Sequence, residues 1–402
     1  MLPEVLDGIR QLTRTHASPI YVYHFDAIKR QVTKFREGMH RSIKLFYSLK
    51  ANPNPHIVKR IGELGVGAEV CSGVELSIAD SAKISFKDTI FLGPGKREDE
   101  LYSAVRNGVR FIIAESFEEL ERLDRIAKSL HMVTDVGIRV NPLRPGVSSK
   151  LVMGGLPLQF GIDEEQIAPI LERFGRFSNL KLAGMHMYVG TQNLNAESII
   201  ENTDYILRTA GRFVSEFRLD LRYIGIGGGM GIPYAQSEKD LNLDLMHAGI
   251  GCVIDRYIQN HGNVEILMES GRFIVGESGM YLTQVIATKT SRGKHFIVVN
   301  GGTHHYSPTF MAPLTKFDET IITPFMDDEG REKRLQTIVG TLCTPHDVLL
   351  RNVELPAFRS GDWIGFRNAG AYGLTAGRVL FLSHPLPKEF LIADGCCINI
   401  RE

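Results

Sequence analysis

The sequence predicts an α/β protein with a (β/α)8 barrel of the TIM type followed by a C-terminal all-β domain. Three observations carry this expectation. Short apolar runs alternate with longer amphipathic stretches between residues 43 and 269, the pattern of strands each followed by a helix. Eight such units fit in that length, as a closed parallel barrel requires. After residue 270 the texture changes to β-rich segments separated by Gly and Pro. A doubly wound open sheet is the competing reading of the first part.

The strands expected in order are "IKLFYSL" (43–49), "VGAEVC" (66–71), "TIFLG" (89–93) and "RFIIA" (110–114), then "TDVGIRV" (134–140), "LKLAGMHMYV" (180–189), "LRYIGIG" (221–227) and "VEILME" (264–269). Helical periodicity lies between them, as in "PHIVKRIGEL", "GVELSIADSA", "SFEELERLDRIAKSL" and "SIIENTDYILRTAGRFVSEF". The barrel is therefore assigned to residues 20–269 and the β domain to residues 270–402, with residues 1–25 contributing a strand through "IYVYHF" (20–25). The longest Gly/Pro-rich insertion, residues 141–162, is expected at the end of a barrel strand, where loops carry function.

Composition narrows the function. With 43% hydrophobic and 23% charged residues the chain of 402 residues reads as a soluble globular protein. Lys+Arg and Asp+Glu balance at 46 each, which removes the bulk electrostatic case for nucleic acid or an anionic membrane. No apolar run reaches a membrane span and no signal-peptide pattern opens the chain. Five scattered cysteines without a CxxC pair suggest reduced thiols in the cytoplasm. No Cys/His group has metal-ligand spacing, and His304 and His305, being adjacent, would face opposite ways on a strand.

In such a barrel the active site forms at the C-terminal strand ends. Lys50 falls at the end of the first strand, Glu69 of the second, Arg139 with Asn141 of the fifth, and His186 with Tyr188 of the sixth. Gly227, Gly228 and Gly229 end the seventh, and Glu269 with Arg272 the eighth. Each has a plainer reading: a solvated lysine, a glycine turn, a local Glu–Arg ion pair. Together they offer an amine nucleophile, backbone N–H groups able to cradle a phosphate, and a carboxylate. That set asks for pyridoxal 5′-phosphate, with Lys50 taking the aldehyde, the glycines and Arg272 the phosphate, and Glu269 the pyridine nitrogen.

The motifs, taken in order, resemble those of the fold-type III pyridoxal-phosphate decarboxylases, the group of diaminopimelate, ornithine and arginine decarboxylases with an alanine racemase-like barrel. "YSLKAN" resembles the lysine motif, "GAEVCSGVEL" the next strand and helix, and "GGGMG" the phosphate loop. "ESGR", containing Gly271, resembles Glu-Pro-Gly-Arg with Ser270 where proline is usual, "LCTPHDV" the cysteine motif, and "FRNAGAYG" the late tyrosine motif. The resemblance implies a homodimer with shared active sites, in which Cys343 handles the proton at the substrate's α-carbon and Tyr372 bonds the phosphate. It also implies that Tyr188 replaces the stacking histidine beside His186, and that Thr191 stands in for a serine.

Thr344 follows the cysteine where diamine and diaminopimelate enzymes carry an acidic residue, and "NGGTHHYSPTF" (300–310) lacks the Arg-Pro pair of diaminopimelate enzymes. A distal ammonium would then be left unpaired. "HMYVGTQNLNAESIIE", "MGGLPLQFGID" and "FLSHPLP" resemble instead a biosynthetic branch acting on L-glutamyl-[acyl carrier protein] or, in siderophore assembly, on citryl-diamino acids. The expected activity is decarboxylation of a carrier-linked or derivatised amino acid. Arg139, Tyr306 and Thr344 are the expected substrate contacts, and Arg139, Arg144 and Lys150 are candidates to receive an acidic carrier. A racemase on the same barrel and a non-catalytic partner of a decarboxylase are the competing functions.

Overall fold

The computed structural model describes residues 3–146, 151–307, 317–326 and 330–401. Lys150 and residues 308–310, which the substrate reading invoked, lie outside them. Contacts along the chain divide it into two compact units, one of residues 32–231 and 241–271, the other of residues 1–31, 232–240 and 272–402.

The first unit is the barrel. Its eight strands are Ile43–Ser48, Gly67–Val70, Thr89–Phe91, Phe111–Ala114, Thr134–Asn141, Leu180–His186, Tyr223–Gly225 and Glu265–Ser270. Every neighbouring pair is parallel, and pairing of Glu265–Ser270 with Ile43–Ser48 closes the ring. The strands read as near-continuous apolar runs because helices cover the outside while side chains fill the inside. Phe46, Ile90, Phe111, Ile113, Ala183, Tyr223 and Leu267 form one buried interior cluster. Tyr223 reaches across it onto Phe111, ring centres 3.6 Å apart. Gly184 makes room for that ring, since a Cβ there would lie 2.6 Å from its edge carbons. Side-chain caps set the helix starts: Ser72 accepts from the Glu75 N–H and Ser116 from the Glu119 N–H, at 3.2 and 3.1 Å. Each cap follows a barrel strand directly, which keeps the strand-to-helix loops short.

The second unit is built on a sheet in the order Val348–Pro356, Lys333–Val339, Lys294–Val299, Gly279–Ser291, Ile20–His24, Lys388–Ala393 and Cys396–Arg401. Ile20–His24 lies inside this sheet, antiparallel to Gly279–Ser291 and parallel to Lys388–Ala393. Ile20, Val22, Met280, Leu282, Trp363 and Phe390 bury its apolar face against Ile9 and Leu12 of the first helix, Pro3–Thr15. The domain limits read from the sequence differ here. Residues 232–240, within the stretch assigned to the barrel, group with the β unit, as do residues 26–31. Both stretches lie between or beside barrel elements in sequence, and periodicity does not report which unit they pack on.

His304 and His305 do not face opposite ways on a strand. They occupy a turn, with ring centres 3.7 Å apart, and His384 adds a third ring 4.9 Å from His304. Both are fully buried. Burial lowers the pKa of each, and for His305, with the His304 ring also lowering it, the value falls to about 3. Asp347 opposes this at His304, and His384 adds to the lowering at both. The unfolded chain therefore takes up protons first as pH falls below about 6.5, and stability is lost between there and about pH 3. The melting temperature should fall by about 5 °C between pH 7 and pH 5. His305→Phe should flatten that slope; a slope unchanged in the variant would assign the acid sensitivity elsewhere.

Candidate active site

The barrel brings Lys50, Glu69, His186, Tyr188, Thr191, Gly227–Gly229, Glu269 and Gly271 into one unit. The first strand stops at Ser48, so Lys50 is not its last residue: it sits on a 3-10 turn, Leu49–Ala51. The turn leaves the Lys50 side chain 41% exposed while Glu69, from the next strand, is fully buried. The amine donates to both Glu69 oxygens, at 3.0 and 3.1 Å, and lies 6.0 Å from the centre of the Tyr188 ring. This is neither a free surface lysine nor a sealed one. It is an amine open to a reactant on one side and oriented by a carboxylate on the other.

Two groups beside it went unassigned in the sequence. The Cys71 thiol donates to Glu69 Oε1 at 3.0 Å and lies 3.8 Å from Lys50 Nζ. Burial, then the Glu69 carboxylate, pushes that thiol well above the usual range, so it stays protonated. Glu75 accepts from the Cys71 N–H at 2.7 Å, and burial raises its carboxyl to about 7. Both lie within "GAEVCSGVEL", so the motif marked the place without marking the residues.

His186 and Glu269 form a second buried pair, 2.8 Å from Nε2 to Oε1. Burial alone would raise the Glu269 pKa. The His186 charge and hydrogen bond outweigh it, helped by Lys50 and Arg139, and hold the carboxyl below its usual value. Glu269 is thus a buried carboxylate kept ionised. Tyr188 and Thr191 lie beyond the end of the sixth strand, hydrogen-bonded to each other, with Thr191 in a short antiparallel pairing of Gly190–Thr191 with Leu151–Val152.

The glycine loop follows the seventh strand. Gly227 and Gly229 have φ of +65° and +78°, the left-handed region that disfavours side chains. A Cβ on Gly228 would overlap the Glu269 carbonyl oxygen. The Gly227 and Gly229 carbonyls accept from the Glu269 and Asn193 N–H groups at 2.8 and 2.9 Å, which fixes the loop. Among the described residues, the Gly228 and Gly229 N–H groups donate to no protein acceptor. Backbone donors without acceptors, held open by glycines, are what an anion cradle requires.

The substrate contacts fare differently. Arg139 is buried, its guanidinium 2.9 Å from Glu115 Oε1 and stacked 4.9 Å from the Phe160 ring. Arg144 pairs with Glu201 at 3.2 Å. Neither is a spare cation for an acidic carrier, because each already faces a carboxylate that the sequence left 24 and 57 residues away.

In the β unit, Arg272 is buried, donates to the Tyr234 hydroxyl at 2.9 Å and lies 4.9 Å from the Tyr372 ring. Tyr372 has a φ of +54°, a backbone state that a tyrosine rarely adopts. Cys343 is exposed on a turn that Asp347 organises, accepting from the Leu342 N–H at 2.8 Å and the Thr303 N–H at 2.7 Å. The same turn holds Thr344, whose hydroxyl accepts from the His346 N–H at 3.3 Å. Tyr306 is fully buried, 5.4 Å from the Tyr281 ring and 5.3 Å from that of Phe366.

Comparison with known proteins agrees with this chemistry. The family model described as "Pyridoxal-dependent decarboxylase, pyridoxal binding domain" matches residues 25–276. An L-glutamyl-[BtrI acyl-carrier protein] decarboxylase of Niallia circulans is 36% identical over 98% of this chain and 93% of its own length. A Staphylococcus aureus 2-[(L-alanin-3-ylcarbamoyl)methyl]-2-hydroxybutanedioate decarboxylase is 30% identical over 94% of this chain and 96% of its own. The crystal structure of Helicobacter pylori diaminopimelate decarboxylase complexed with L-lysine superposes with a TM-score of 0.88, at 29% identity, covering 98% of this chain and 96% of that one. An amine, a glycine cradle and an ionised buried carboxylate fit pyridoxal phosphate, and the chain belongs to the pyridoxal-phosphate-dependent decarboxylases, the carboxy-lyases built on a (β/α)8 barrel with a C-terminal β domain.

Proposed function

We propose that this protein decarboxylates an amino acid carried on a larger group, of the L-glutamyl-[acyl carrier protein] kind. The observation that carries the reading is Thr344, neutral and held in the Asp347 turn directly after Cys343. A free diamino acid would bring a second ammonium with no acidic residue after Cys343 to meet it, because the turn's own carboxylate, Asp347, is buried and accepts from the Leu342 and Thr303 N–H groups. The 36% identity to the carrier-protein enzyme, spread over 98% of the chain, supports the same branch.

Pyridoxal phosphate supplies the electron sink that loss of carbon dioxide needs. Lys50 provides the amine that holds it, and Glu69 orients that amine. The Gly228 and Gly229 N–H groups, with Arg272 and Tyr372, bind the phosphate; Tyr188 presents a ring face beside Lys50. Glu269, ionised by His186, holds the proton on the pyridine nitrogen. Cys343, exposed as a thiol, returns a proton to the substrate α-carbon. The active unit is a homodimer in which Cys343 serves the partner's site.

Two measurements test this. Carbon dioxide release from carrier-linked glutamate should exceed that from free lysine, ornithine or diaminopimelate by about 100-fold; efficient turnover of a free diamino acid returns the enzyme to the ordinary branch, and preference for a citryl-amino acid moves it to the siderophore branch. Mixing inactive Lys50→Ala and Cys343→Ala subunits should restore up to about a quarter of the activity, because one site in a mixed dimer is intact. Mixed dimers that remain inactive after exchange is verified would exclude shared sites.

A further inference from the structure

A cavity of about 180 Å³ opens in the β unit, and none of the individual site residues named above lines it. Ile9, Val22 and Met280, members of the unit's apolar core, line it together with His24, Arg30, Glu277 and Arg367. We propose that it binds a small organic carboxylate with a compact apolar body, seated on Ile9, Val22 and Met280 and paired with Arg367.

Size sets the class of ligand. At about 30 Å³ per water the space holds about six water-sized groups, below the range of drug-sized and cofactor sites. Nucleotides and peptides are excluded, and a short branched carboxylic acid is the right bulk. Charge sets its sign. Arg30 lies 3.8 Å from Glu277, and His24 lies 3.5 Å from Asp26. Arg367 has no carboxylate within ion-pair distance among the described residues, so the lining carries one unanswered positive charge. Its backbone is pinned, the N–H donating to the Ile321 carbonyl at 2.7 Å, so the guanidinium is presented from a fixed point. Planar guanidinium against carboxylate is a strong two-point pairing.

The test is calorimetry on the holoenzyme after borohydride has fixed the cofactor to Lys50, which closes the active site to amines. Three probes share one body: isovalerate, isoamylamine and isovaleramide. Isovalerate should bind with a dissociation constant of about 1 mM, and the amine and amide at least about tenfold more weakly. Arg367→Met, an exposed position whose change leaves the core intact, should weaken isovalerate binding by about tenfold or more. Absence of isovalerate binding, equal affinity for all three probes, or binding unchanged in Arg367→Met would each overturn the assignment. Because the measurement uses an enzyme unable to turn over, its outcome is independent of the substrate reading.

Discussion

Lys50→Ala should abolish decarboxylation, with turnover lower by on the order of 10⁴-fold, and yield a protein without cofactor colour. Two losses combine in that substitution. The amine that condenses with the cofactor aldehyde disappears, and the fully buried Glu69 carboxylate loses its cation. Lys50→Arg separates them. Its guanidinium keeps the charge beside Glu69 but cannot form the lysine linkage, so it should melt close to the parent apoprotein and still be colourless and inactive. Borohydride treatment of the parent, followed by peptide mapping, should place the modification on Lys50; a label on another lysine would refute the assignment. Retained colour in Lys50→Arg would show that something other than the amine holds the cofactor.

The largest effect on stability is expected at Lys96. This lysine is fully buried: its ammonium donates to the Gly93 and Ile113 carbonyls at 2.8 and 2.9 Å and lies 2.6 Å from Glu119 Oε1, an ion contact with poor hydrogen-bond angles. Glu119 is 1% exposed, and burial raises its pKa despite the lysine. Removing the cation leaves an uncompensated carboxylate in the barrel, a change worth about 3–5 kcal/mol. Lys96→Met should therefore lower the midpoint of denaturant unfolding strongly. Because Glu119 can then escape its cost by taking a proton, the deficit should shrink as pH falls toward 5. Lys96→Met/Glu119→Leu, which removes both charges, should recover much of the loss. A single variant as stable as the parent would show that the pair contributes nothing.

Lys96 shows why part of the molecule was not legible in the sequence. Barrel strands such as Phe111–Ala114 announce themselves because both faces are buried and every residue is apolar. Motif residues such as Lys50, Glu69 and Glu269 are legible for a different reason: their chemistry fixes their order along the chain. The pairs Lys96–Glu119, Arg139–Glu115 and Arg144–Glu201 are set by which strand ends, loops and helices meet around the ring. Neither periodicity nor motif spacing reports that, so Arg139 and Arg144 read as available cations until their partners are seen. The turns were equally opaque. Lys50 was expected on a strand and stands on a 3-10 turn, and His304 and His305 were expected apart and are packed together.

The interior place of Ile20–His24 in the β sheet has a bearing on how the chain is made. One neighbour of that strand begins at Gly279 and the other at Lys388. During synthesis the barrel strands, Ile43 to Ser270, all emerge before either neighbour exists. The barrel can close on the ribosome while Ile20 and Val22 wait with their backbone groups unpaired. Only the segment from Lys388 onward completes the sheet, so a nascent chain halted short of Lys388 carries an exposed strand edge that invites association with other chains.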